Sequence, residues 1–241
     1  MTNGSLAIAQ ARDLPELSRF ALRTRNFTWI DGNGVGALEP DLADRFGKAL
    51  YFPDEAHLDP RAALAALVLR LAGFGVPVRF GIDADDTPPD KSVVVDCRGI
   101  AARDALGDLR GVKGEMVVVR SRDIVLHRPI RMLHPRFPLY VVPRGDGLFM
   151  IGATMVESDE RRRVTARALL DLLGAACALH PAFAEAEVVE LGADVRPAFP
   201  DNLPRIRARG RTLYVNGLFR HGFLLAPALA RRVASVILDG A

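Results

Sequence analysis

Apolar and polar positions change their period several times along this chain, and each change marks an element. Residues 5–11 alternate, which predicts a strand. Residues 14–24 carry helical spacing, with Asp13 placed to cap it. Asp59-Pro60 opens a second helix, because Asp accepts hydrogen bonds from free N–H groups and Pro fits the first turn. Leu64, Leu67, Val68 and Leu71 then form one apolar stripe, which Gly73 and Gly75 end. Apolar runs at 76–80 and 92–96 read as buried strands, with a polar, proline-rich loop between them. Strand, helix and strand in this order predict α/β architecture.

The middle of the chain has a different texture. Residues 115–120, 130–133, 139–143 and 148–156 are short strands in quick succession. Arg144-Gly145-Asp146-Gly147 supplies a hairpin turn, so this stretch predicts an antiparallel sheet. A helix follows over 165–179, with apolar residues at 169, 172, 173, 176 and 179, and then a strand over 188–195. After Pro204 the pattern returns to strand, turn and helix. The fold class is therefore mixed α/β and α+β, with an antiparallel segment set inside flanking α/β segments. There are no internal repeats.

Composition narrows the function. The 241 residues can bury a large core in one or two domains. No apolar run approaches the length of a membrane span, and no charged-then-apolar signal opens the chain, so the cytoplasm is the expected location. Net charge is +3, and the densest basic run, Arg161-Arg162-Arg163, leads a helix. Nucleic-acid binding would need a continuous basic face with interleaved aromatics, so neither nucleic acid nor membrane is an expected partner. Cys97 and Cys177 are too few for a disulfide framework, and the five histidines show no metal-ligand spacing, so no metal is expected.

Gly32-Asn33-Gly34-Val35-Gly36-Ala37 spells the dinucleotide-binding pattern. That mechanism needs a strand before the glycines and a helix opening directly at them. Pro40 would break such a helix, and no βαβ unit of the required length encloses the motif. The reading is a loop before a short helix.

The C-terminal stretch is more informative. Arg196-Pro197 follows a strand, and a strand over 212–217 leads through a turn into a helix opening near Gly222. A helix start reached through a glycine turn offers free N–H groups to an anion or a ring edge. Earlier motifs accompany it in order: Glu55-Ala56-His57-Leu58-Asp59-Pro60-Arg61, Val95-Asp96-Cys97-Arg98-Gly99, Val112-Lys113-Gly114-Glu115-Met116, Tyr140-Val141-Val142-Pro143-Arg144 and Ile151-Gly152-Ala153-Thr154-Met155. With Phe219-Arg220-His221-Gly222 they resemble the FAD-dependent D-amino-acid oxidase family, and within it the glycine-oxidase branch of thiamine biosynthesis.

The resemblance implies an incomplete Rossmann-like FAD-binding domain (51–109 and 196–241) interleaved with an antiparallel-sheet substrate domain (1–50 and 110–195). The true dinucleotide fingerprint would lie within about 80 residues preceding Met1, and without it the chain would lack the main pyrophosphate cradle and expose apolar strand edges. Arg196 would grip a substrate carboxylate with two parallel hydrogen bonds, its Arg-Pro dipeptide stiffening the turn that presents it. Tyr140 would donate to the same carboxylate, and Met155 would line the small substrate pocket. Arg220 would hold the substrate or the carbonyl edge of the flavin. Gly217, His221, Gly222, Phe223 and Leu224 would meet the pyrimidine side of the flavin, where a positive helix end favours the anionic reduced ring. Cys97 and Gly99 would pass close to the dinucleotide, and Lys113 and Gly114 would cross between domains near the flavin. Pro138 stands where this branch often has histidine, which leaves the exact substrate open.

The activity implied is oxidative deamination of glycine or a small D-amino acid. Hydride passes from Cα to FAD, and oxygen takes the electrons to give hydrogen peroxide. The imino acid then hydrolyses to a 2-oxo acid and ammonia, or feeds thiazole formation. The implied partners are the amino-acid or amine substrate, oxygen, further copies of this chain and a thiazole synthase receiving the imine. Two alternatives stay open: a sarcosine or other secondary-amine oxidase, and a non-catalytic remnant or subunit that needs a partner to bind FAD.

Overall fold

The computed structural model describes residues 1–82, 92–135, 138–161 and 163–238. In chain order the elements are β1 (Ser5–Ala9), α1 (Leu14–Ala21), β2 (Thr28–Asp31), α2 (Gly32–Leu38), β3 (Lys48–Phe52), α3 (Pro60–Gly73), β4 (Val94–Asp96), β5 (Arg110–Arg120), β6 (Ile130–Leu133), β7 (Leu139–Pro143), β8 (Leu148–Gly152), β9 (Val156–Glu157), α4 (Ala166–Leu179), β10 (Glu187–Ala198), β11 (Arg205–Arg209), β12 (Thr212–Asn216) and α5 (Gly222–Leu238). They divide into two compact units. The first holds Met1–Leu58, Gly114–Met155 and Arg161–Asp194; the second holds Asp59–Lys113, Val156–Glu160 and Val195–Ala241. The expected mixture of α/β and α+β texture is what the chain adopts. The proline-rich loop falls mostly on 83–91, and Arg162 of the basic run also lies outside the described residues.

In the first unit the strand order runs β10-β5-β8-β7-β6-β1-β3-β2. The predicted meander is present, with antiparallel pairs β5–β8, β7–β8 and β6–β7. The turn at 144–147 closes as read, with the Arg144 amide donating to the Leu148 carbonyl at 2.8 Å. β1 departs from the simple pattern. It pairs antiparallel with β3 but parallel with β6, and all five of its residues are buried. Leu6 and Ile8 pack with Leu172, Ala176 and Leu179 of α4, while Ala7 and Ala9 pack with Leu17 of α1. The sheet is thus covered on both faces at this strand, so both sets of side chains leave water.

Two local expectations are corrected here. Asp13 precedes α1 but its side chain caps nothing, and the helix ends at Ala21 rather than 24. The glycines at 32–36 are the short helix α2 itself rather than a loop before it, with Asp31 accepting from the Gly34 amide at 2.9 Å. The next strand, β3, runs antiparallel to β2, whereas a dinucleotide-binding unit requires a parallel return.

α4 starts where predicted, with Thr165 accepting from the Ala168 amide, and it ends at His180. His180 Nδ1 accepts from the Ala182 amide at 3.2 Å, opening the next turn. Burial, and then the Arg45 charge, lower the His180 pKa below its ordinary 6.5. The neutral ring is therefore favoured on folding. Its contribution is complete above the unfolded value and is lost as pH falls through the lower folded value. His57, lowered by burial, the N-terminal ammonium and Arg144, acts in the same direction. The melting temperature is expected to fall as pH drops from about 7.5 to about 5.5, the range that spans the histidine titration. His180→Asn keeps an acceptor without a proton to gain and should shallow that fall. An unchanged slope in the variant would remove His180 as a source.

In the second unit, β11 and β12 form an antiparallel pair, and β12 pairs parallel with β4. Phe199 anchors a small core with Ala102, Leu106 and Leu109. Asp59 caps α3 as read, accepting from the Ala62 amide at 2.8 Å. Its predicted stripe of Leu64, Leu67, Val68 and Leu71 is exposed. The expected strand at 76–80 is not formed, because among the described residues no neighbouring strand takes up its backbone groups. The strand at 92–96 shortens to Val94–Asp96, with Val95 exposed rather than buried. Arg196 and Pro197 lie inside β10 and not in a turn after it. β10 ends the sheet order, and Pro is tolerated on an edge strand because it has no N–H to donate. No helix among the described residues is long and apolar enough to cross a membrane.

Candidate functional site

Three of the predicted segments meet in the second unit. β4 ends at Asp96, and the chain turns through Cys97, Arg98 and Gly99, whose φ is +64°. A Cβ added at Gly99 would lie 3.8 Å from the Pro197 ring. The Asn216 side chain donates to the Gly99 carbonyl at 2.7 Å, and the Phe219 amide donates to the Pro197 carbonyl at 3.2 Å. The turns after β4 and β12 and the end of β10 are thereby tied together.

Gly217 makes this convergence possible. Its φ is +79°, and an added Cβ would sit 2.3 Å from Phe199 Cδ2. Phe199 cannot yield easily. It is fully buried, and the guanidinium carbons of Arg205 and Arg207 lie 4.4 and 4.6 Å from its ring centroid. Arg207 is itself held by Asp108 through two hydrogen bonds of 2.6 Å. Gly217→Ala is expected to cost about 3 kcal/mol, from overpacking plus the left-handed backbone penalty. Urea denaturation of the variant checks this; a loss under about 1 kcal/mol would mean the Phe199 pocket is soft.

Beyond Gly217 the turn carries Arg220 and His221, both exposed, into α5. The amides of Gly222, Phe223 and Leu224 form the first helical turn, where an α-helix has no internal acceptors for them. Phe223 and Leu224 are exposed, and nothing lies within 4 Å of a Cβ added at Gly222. The helix start is therefore open to a ligand edge. Partial burial, then the Asp96 carboxylate, push the Cys97 thiol up, which disfavours its thiolate. Arg98 is spanned by Asp96 and Asp104 at 2.9 and 3.1 Å, which fixes the turn. Lys113 is 4% exposed within β5 and pairs with Glu160.

In the first unit, Tyr140 on β7 faces Gly152 on β8. A Cβ at Gly152 would fall 2.7 Å from the Tyr140 hydroxyl, so the bare glycine leaves room for the phenol. Gly114 leads into Glu115, whose buried carboxylate accepts from Thr154 Oγ1 at 2.9 Å and from the Thr165 amide at 2.8 Å. Glu115 thus fixes the segment that presents Met155, which is exposed. Among the described residues no three His, Cys, Asp or Glu side chains group as metal ligands.

Of the predicted residues, Gly99, Arg196 and the 217–224 segment are gathered in one unit. Tyr140 and Met155 sit on neighbouring parts of the other. Glu115 and Gly152 stood in the quoted motifs without a structural role, and Asn216 and Phe199 had none assigned. The only signal for Asn216 was a polar residue closing an apolar strand beside a glycine.

The fold is shared with flavin-dependent enzymes, as the comparisons show. The family described as FAD dependent oxidoreductase matches residues 1–236. A protein assigned as the thiamine biosynthesis oxidoreductase ThiO of Rhizobium etli is 54% identical over 235 residues, covering 98% of this chain and 72% of that protein. The bifunctional protein ThiO/ThiG of Synechocystis is 26% identical, covering 89% of this chain and 36% of that protein. The crystal structure of glycine oxidase from Geobacillus kaustophilus superposes with a TM-score of 0.80 at 25% identity, covering 98% of this chain and 70% of that one. The chain belongs to the family of FAD-dependent oxidoreductases; its cofactor is FAD and its activity is that of an oxidoreductase. At the start of α5 the amides of Gly222, Phe223 and Leu224 are of the kind that would suit a ring edge gaining negative charge.

Proposed function

We propose that this chain oxidises glycine or a small D-amino acid to the imino acid and serves thiamine biosynthesis by passing that imine to a thiazole synthase. The observation that carries the reading is the convergence of Gly99, Arg196-Pro197 and the Gly217 turn beside one open helix start. The ThiO and ThiO/ThiG relatives support the pathway.

FAD, when bound, supplies the chemistry: it accepts the hydride of the substrate's Cα–H and returns the electrons to oxygen as hydrogen peroxide. The start of α5 would hold the flavin through its amides, with Gly217 and His221 beside it, and Cys97 and Gly99 would hold another part of the cofactor. Arg196 receives the substrate carboxylate, because a guanidinium matches it with two parallel donors. Arg220, exposed at the same turn, adds positive charge for the carboxylate or the ring edge. In the first unit, Tyr140 contributes a phenol donor and Met155 an apolar wall that suits a substrate with little or no side chain. The residues orient and stabilise, and none is required as a proton-transfer base once the amine is neutral.

The test is peroxide release from the FAD-loaded chain with glycine, sarcosine and D-alanine. Turnover highest on glycine, with ammonia released, supports the reading. Preference for sarcosine would make it a secondary-amine oxidase, and bound FAD with no peroxide from any amine would overturn it.

A further inference from the structure

Asn216 closes β12 and is 1% exposed. Its Nδ2 donates to the Gly99 carbonyl at 2.7 Å, and its Oδ1 accepts from the Gly217 amide at 2.8 Å. The parallel ladder between β12 and β4 ends at Tyr214 and Asp96. Past that pair the two chains enter turns at Gly99 and Gly217, both with positive φ. Two such turns have no ladder to hold them at a set distance. A primary amide meets the need, because one carbonyl and one N–H require a donor and an acceptor on the same short side chain. The strand places it where both bonds form out of water, and there each is expensive to lose.

We infer that Asn216 is a positioning residue: it sets the spacing between the Gly99 turn and the turn over 217–221, and through it where the first amides of α5 are presented. The inference rests on the reading of that helix start as flavin-facing. It does not touch the reacting atoms; it acts through Gly217 and Gly99. Its polar side chain in an otherwise apolar strand end has no other use among the described hydrogen bonds.

The experiment compares the wild-type chain with Asn216→Leu, which keeps the shape and removes both bonds, and with Asn216→Ser, which is small enough to fold if the leucine variant does not. Amide hydrogen exchange is followed by mass spectrometry, and FAD affinity by quenching of flavin fluorescence. Exchange over residues 217–224 is expected to rise about tenfold and FAD affinity to fall about tenfold, with exchange in the first unit unchanged. Exchange at 217–224 equal to wild type would overturn the inference. So would an opened turn with unaltered FAD affinity. A wild-type chain that takes up no FAD is a failure of the flavin reading instead, and the exchange result alone then upholds or overturns the clamp.

Discussion

In the FAD-loaded protein, Arg196→Ala is expected to raise the KM for glycine about 100-fold, with a much smaller change in kcat. Charge-assisted hydrogen bonds contribute about 1.5–3 kcal/mol each, and losing a two-point grip on a carboxylate forfeits about 3 kcal/mol of binding. The carboxylate does not change charge during hydride transfer, so the grip holds the bound substrate and the transition state alike. Arg196→Lys keeps the charge but not the paired donors, and an intermediate rise of about tenfold is expected. Because Arg196 is half-buried within β10, its backbone is set by the sheet, and the alanine variant should stay folded. Steady-state peroxide release against glycine concentration measures both constants. A KM that does not move removes Arg196 from the role.

Arg128→Met is expected to destabilise the chain by about 3–5 kcal/mol, the usual loss when one partner of a buried ion pair is removed. Glu39 is fully buried, and Arg128 Nε donates to its Oε1 at 2.8 Å. The His127 amide donates to the other oxygen at 2.9 Å. The remaining Arg128 nitrogens donate to the Asn3 and Leu38 carbonyls at 3.2 and 3.1 Å, so one guanidinium ties together three segments of the first unit. Methionine fills similar volume but leaves the buried carboxylate without its guanidinium, with only the His127 amide and ring, the latter at 3.2 Å, still beside it. Adding Glu39→Gln to Arg128→Met should recover part of the loss, because a neutral amide costs less to bury than a carboxylate. Urea denaturation gives both values. A single-variant loss below about 1 kcal/mol would mean water reaches Glu39 and the pair is in effect solvent-exposed.

The Glu39–Arg128 pair also shows where reading a sequence stops. Nothing in the neighbours of Glu39 names Arg128, 89 positions away. Asn216 and Gly99 are separated by 117 positions in the same way. Local signals fared better. Asp59-Pro60 and the 144–147 turn each act within three or four residues, and each works as read. Strand β11 carries a legible alternation of arginine with Ile206 and Ala208, closed by Gly210, within the return to strand, turn and helix after Pro204.

Three local readings failed. The run at 76–80 had strand composition but no partner for its backbone, and a strand is a property of a pair. The stripe on α3 had the right spacing to be buried but lies open to solvent. The glycines at 32–36, read as a loop, formed a helix capped by Asp31, and the antiparallel β3 that follows is no βαβ return.

The sequence by itself determined the class: period changes set the mixed α/β and α+β texture, and ordered short motifs carried the family. Those signals are local, set by side-chain alternation, caps and turn residues acting over a few positions. Only the tertiary structure decided that Gly99, Pro197 and Gly217 share one corner of the second unit, that Arg196 is held by a strand, and that Asn216 ties the corner. Those facts depend on which strands pair and in what direction, and pairing is settled by burial and backbone hydrogen bonding between segments about 100 residues apart, where no local pattern reaches.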